Sequence, residues 1–98
     1  MSESPSGSRE SPRTAIIAEV RLRRTGNINY TVEARDLSEG GCKVEFVERP
    51  RRDEKVWVKF EGLESLEATV RWTRDFCAGL EFSRPINSRV LELLLRRL

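Results

Sequence analysis

Between residues 14 and 82 apolar and polar side chains alternate with a period of two, in six short runs. Ile16, Ala18, Val20 and Leu22 alternate with Ile17, Glu19, Arg21 and Arg23. Ile28, Tyr30, Val32 and Ala34 alternate with Asn29, Thr31, Glu33 and Arg35. Cys42, Val44 and Phe46 form the third run, and Val56, Val58 and Phe60 the fourth. Leu66, Ala68, Val70 and Trp72 form the fifth, and Ala78, Leu80 and Phe82 the sixth. This period puts one face of each strand in a core and the other in water, as in an antiparallel sheet. The breaks carry turn chemistry: Thr25-Gly26-Asn27, Ser38-Glu39-Gly40-Gly41, the charged stretch around Pro50, and Gly62 to Ser65. Six strands with one apolar face close most economically as a small barrel, because closure leaves no unpaired edge. The expected fold class is mainly all-β: a six-stranded antiparallel β-barrel with a C-terminal α-helix and a flexible N-terminal tail.

The helix is expected over about residues 86–97. Val90, Leu91, Leu94, Leu95 and Leu98 recur at the spacing of one helix face. Asn87 is placed to cap its first turn, with Ile86 and Leu91 as a hydrophobic staple. Arg96 and Arg97 complement the dipole at its last turn. This face is expected to cover the barrel. Residues 1–13, MSESPSGSRESPR, hold five Ser and two Pro, with Met1 as the sole apolar member. Such a stretch buries too little to order itself, so 1–13 is read as a flexible segment and 14–98 as the folded domain.

Composition narrows the function. A chain of 98 residues holds one small domain. It contains no His, which removes the commonest general base and metal ligand. Its two cysteines, Cys42 and Cys77, cannot form a structural zinc site, and no metal is expected. Cys42 shares a face with Val44 and Phe46 and is expected in the core; Cys77 is expected buried or half-buried. No apolar run is long enough to span a membrane, and the polar start is not a signal peptide, so a cytoplasmic location is expected. Nucleophile–base arrangements lack a base, and the carboxylates fall on the wet positions of strands. No enzyme activity and no cofactor are expected. Net charge is only +2, but 15 of the 18 cations are Arg, whose planar fork matches phosphate and guanine edges.

Two short motifs stand out in order. Arg9-Glu10-Ser11-Pro12-Arg13 fits RxxxR, and Asp36-Leu37-Ser38-Glu39-Gly40-Gly41 fits DxSxxG at a strand-to-strand turn. The second, by itself, reads as an Asx-type turn with a Gly where φ must be positive. Together on a small all-β domain they resemble the PilZ domain family. Val70-Arg71-Trp72 followed by Gly79-Leu80-Glu81-Phe82, and then a helix, resembles the end of such domains; the likeness runs over roughly residues 8 to 98. Ser8 stands where many relatives carry a further Arg, and Pro12 stiffens the first motif.

The resemblance implies a bacterial receptor for the second messenger cyclic di-GMP that signals to a separate, unidentified protein by a change in its N-terminal segment. It implies that Arg9 and Arg13 engage guanine and phosphate, that Asp36 and Ser38 read the guanine edge, and that Gly41 lets backbone approach the ligand. Trp72 and Arg74 are weaker candidates for the site, since Trp72 shares a strand face with Val70 and Ala68 and is expected in the core. Two other readings stay open. One is a ligand-independent interaction module working through the helix or through Arg49, Arg51 and Arg52. The other is a barrel for single-stranded nucleic acid, for which Trp57 is the one clear outward aromatic; no DNA or RNA partner is expected.

Overall fold

Each alternating run forms a strand in the computed structural model, which describes residues 14–26 and 28–97. The strands are β1 (Thr14–Arg24), β2 (Ile28–Leu37), β3 (Gly41–Glu45), β4 (Lys55–Lys59), β5 (Leu66–Arg74) and β6 (Cys77–Phe82), followed by helix α1 (Ser88–Arg97). They close into a barrel in the order β1-β2-β3-β6-β5-β4, with β4 returning to β1 and every pairing antiparallel. The expected six-stranded barrel with a C-terminal helix is therefore the fold. The expectations for 1–13, and with them Arg9 and Arg13, lie outside the described residues.

The inward positions fill the barrel as the alternation predicts. Leu22, Ala34, Val44, Val56, Val58, Phe60, Ala68 and Val70 are fully buried, and Cys42 lies among them. Burial pushes the Cys42 thiol up to about 12, so it stays protonated and inert. Ile28 departs from its inward assignment: it stands at the barrel end and is exposed.

Helix α1 begins as the cap predicts. The Asn87 carboxamide oxygen accepts from the Arg89 and Val90 amides at 2.8 and 3.4 Å. Leu94 is buried, and Val90, Leu91 and Leu95 pack against the core. The Ile86 amide donates to the Glu39 carbonyl at 2.8 Å, which ties the approach to the helix to the β2–β3 turn. At the far end the Arg97 guanidinium lies over Gly62 in the β4–β5 turn. The helix thus lies across the barrel end where these two turns meet, its apolar face on the core.

Two breaks in the period move side chains between faces. Asp36 has φ 54°, the left-handed region that Asp tolerates better than most residues. The alternation of Val32 and Ala34 would carry Asp36 inward; the reversal puts Leu37 in the core instead and leaves Asp36 half-buried outside. On β5 the register shifts between Val70 and Trp72. Arg71 is the extra residue, and Trp72 turns to the outer face, where it is 43% exposed. The expectation that Trp72 joins the core is therefore corrected: a β-bulge overrides the period.

Opposite the helix, one ion pair fastens the long β3–β4 loop. Arg24 Nε and Nη2 reach the two Glu54 carboxylate oxygens at 2.6 and 2.7 Å. Its guanidinium also donates to the Glu48 and Arg49 carbonyls, both at 3.2 Å, and stacks over Phe46. The Arg51 amide adds a third bond to Glu54, at 3.0 Å. Burial by itself raises the Glu54 pKa. The Arg24 fork and the Arg51 amide outweigh it, so the carboxyl titrates below its ordinary 4.5.

A carboxyl with a depressed native pKa stabilises the fold above its unfolded value, and that stability fades as pH falls through the native value. Denaturant titrations should therefore show stability lost below about pH 4.5. Glu54→Gln should remove about 2–3 kcal/mol at neutral pH and flatten that acid limb.

Candidate functional site

The strand registers define a row across the outer wall. Ile17 on β1 faces Arg35 on β2, Arg35 faces Lys43 on β3, Lys43 faces Gly79 on β6, and Gly79 faces Trp72 on β5. Ile17 is 64% exposed. Gly79 has no side chain, and the Trp72 indole lies over it: a Cβ at 79 would overlap the ring. The result is a platform with an aromatic plane at one end, two cations in the middle and an exposed aliphatic at the other.

Asp36 sits beside this row. Its carboxylate pairs with Lys43 Nζ at 2.9 Å, both side chains about one-third exposed. Ser38 follows in the turn. Its amide donates to the Gly41 carbonyl at 2.9 Å, its hydroxyl contacts the same carbonyl at 3.4 Å, and that hydroxyl accepts from the Gly40 amide at 3.2 Å. With the proton directed at Gly41 and one lone pair at Gly40, the free capacity of Ser38 is one lone pair. It suits an N–H donor better than a phosphate oxygen.

Gly41 does not supply the positive φ expected of a glycine in this turn. Neither Gly40 nor Gly41 has a positive φ; the left-handed residue here is Asp36. A Cβ at Gly41 would overlap the backbone carbonyl of Leu80 on β6. The glycine therefore permits β3 and β6 to approach, and it sets the turn that holds Asp36 and Ser38.

The β1–β2 register brings the start of β1 to the second motif. Thr14 pairs with Leu37, inside the Asp36–Gly41 motif, and Arg13 directly precedes Thr14 in the chain. Arg74 is exposed at the end of β5, opposite Cys77 in the register.

Sequence reasoning passed over Arg35 and Lys43, which read as ordinary wet positions of β2 and β3. They face one another and line a shallow pocket of about 230 Å³ with Val44, Glu45 and Cys77. The signal that finds them is cross-strand register, which the alternation does not contain. Trp57, the outward aromatic, is half-buried under Arg23, whose guanidinium carbon lies 4.1 Å from the ring centroid. Arg49 covers Phe76 in the same way at 5.2 Å. Both rings thus carry a cation over the face a nucleic-acid base would need. Among the described residues no three His, Cys, Asp or Glu side chains come together as a metal site, and no helix is long and apolar enough to cross a membrane.

Comparison with known proteins agrees with this fold. The profile of the PilZ domain family matches residues 8–98. A crystal structure of the PilZ domain of CeSA, from a cellulose-synthesizing bacterium, superposes with a TM-score of 0.62 at 20% identity, over 89% of this chain and 93% of that one. The Bacillus subtilis inhibitor of motility (MotI/DgrA) superposes with a TM-score of 0.64 at 16% identity, over 99% of this chain and 52% of that one. No curated protein sequence matches.

The two glycines of the β6 seam should respond differently to the same added methyl. Gly41→Ala drives a Cβ into backbone and should lower stability by about 3 kcal/mol in a denaturant titration. Gly79→Ala meets the Trp72 ring first. It should change stability by about 1 kcal/mol or less while lifting the indole into water, read as a red shift of tryptophan emission.

Proposed function

The chain belongs to the PilZ domain family, and from that premise we propose that it is a receptor for cyclic di-GMP that signals through a separate protein. PilZ domains are receptor or adaptor modules, and the family binds cyclic di-GMP as ligand. The observation that carries the assignment to this chain is the pairing of Thr14 with Leu37. It delivers the chain immediately after Arg9 and Arg13 to the turn that bears Asp36 and Ser38.

The roles follow from the chemistry of each group. A guanine presents N7 and O6 acceptors on one edge, which an Arg fork engages with two bonds, and N–H donors on another. Arg9 and Arg13 take the acceptor edge and a phosphate. Asp36 takes the N–H donors, and Ser38, with one lone pair free, assists it. Trp72, exposed over Gly79 at the end of the outer row, offers a plane for the second base to stack on. Arg74 lies beyond it at the rim. Gly41 acts through the backbone by fixing the turn.

Binding on an outer wall would let the chain pass a signal to a separate protein. The segment that carries Arg9 and Arg13 closes over the ligand and creates or hides a surface for the partner. The ligand shifts the population between the two arrangements.

Calorimetric titration with cyclic di-GMP tests this. The wild-type chain should give saturable heat that excess GTP does not abolish. Arg9→Ala and Arg13→Ala should each weaken binding tenfold or more, for a loss of about 1.5–3 kcal/mol. Absence of heat up to about 100 μM ligand, a limit near −5.5 kcal/mol, would overturn the receptor reading.

A further inference from the structure

Arg35 and Lys43 stand directly opposite one another on neighbouring strands, and like charges in that relation destabilise a sheet. Among the described residues each is held by one carboxylate. Arg35 Nη2 lies 3.1 Å from Glu33, both about half exposed, and Lys43 Nζ lies 2.9 Å from Asp36. Pairs this exposed contribute about 0–1 kcal/mol and exchange readily. Both cations line the 230 Å³ pocket, with Glu45 and Cys77 on its other side. The pocket runs from Arg35 and Lys43 on the outer row toward Glu45 and Cys77, on the side of that row away from the Asp36–Gly41 turn. A cation pair that opposes folding, is weakly neutralised and stands beside the Asp36–Gly41 turn is suited to an anion that arrives with the ligand.

On the reading that the ligand is cyclic di-GMP, we infer that Arg35 and Lys43 together hold one of its phosphodiester groups in this pocket, and that Lys43 leaves Asp36 to do so. In the free protein Lys43 satisfies the Asp36 carboxylate. When the phosphate enters between Lys43 and Arg35, the ammonium turns to it, and Asp36 is freed to accept the guanine N–H donors. One ligand thereby satisfies both halves of the pair. Neither residue belongs to the RxxxR or DxSxxG motif.

Substitution and thiol labelling test this on the whole chain. Arg35→Met and Lys43→Met should each weaken cyclic di-GMP binding about tenfold in calorimetry, while Lys43→Arg restores most of it. The melting temperature of both unliganded Met variants should be unchanged or higher, because the like-charge contact is gone. Lys55→Met, which removes a cation about as exposed as Arg35 from the Lys55–Glu67 pair, should bind as wild type.

The second arm needs no substitution. Cys42 is buried and protonated, so a thiol reagent reports on Cys77 in the pocket wall. Saturating cyclic di-GMP should slow that labelling severalfold, and inorganic phosphate at the same concentration should neither slow it nor displace the ligand. If the wild-type chain binds but both Met variants bind within twofold of it, or Cys77 labels at an unchanged rate, the pocket assignment is wrong and the receptor reading stands. If inorganic phosphate alone protects Cys77 and displaces the ligand, the site is a simple anion site and the assignment to a phosphodiester fails. If the wild-type chain binds no cyclic di-GMP, both fall together.

Discussion

The Leu80 carbonyl occupies the space that a Cβ at position 41 would need, and the contact between β3 and β6 depends on that vacancy. Every other strand neighbour in the order β1-β2-β3-β6-β5-β4 is reached through a short turn or by closure onto β1; β3 and β6 meet across the whole intervening chain. Their five register pairs, Gly41↔Glu81 to Glu45↔Cys77, therefore join the β1–β2–β3 half to the β4–β5–β6 half on one side, as the β1–β4 closure does on the other. The same seam builds the candidate site. Gly79, two positions from Glu81, faces Lys43 and leaves the bare backbone on which the Trp72 indole rests. One glycine lets the halves meet, and the other lets an aromatic ring lie flat across the join.

Most of the architecture was legible in the sequence because it rests on local rules. Six alternating runs became six strands, and Asn87 caps the helix through the bonds its type predicts. The misreadings share a cause: each depended on what a residue meets across strands. The period in β5 points Trp72 inward; the bulge at Arg71 points it out, and a bulge is defined by the partner's register. The motif at Gly41 reads as a turn glycine needing positive φ. The chain takes that φ at Asp36, and Gly41 answers to Leu80. Arg24 and Glu54, thirty positions apart, look like two of many charged residues until the fold brings them together. Arg35 and Lys43 were hidden for the same reason.

Those two sets of charges show how one residue type serves opposite ends. Arg24 is 12% exposed and its guanidinium is occupied by a bidentate carboxylate, two carbonyls and an aromatic face. Removing its partner would strand a charge in a dry setting, so the pair holds the loop permanently. Arg35 is 49% exposed and has one carboxylate at its edge. Water screens that contact, and the facing Lys43 works against it. Burial fixes the first cation, and exposure keeps the second available. The proposed receptor role calls for both kinds: a frame that holds its shape, and charges whose present partners are weak enough to exchange. In this chain the two differ in depth: Arg24 is closed in by the β3–β4 loop and Phe46, and Arg35 stands on the open outer row.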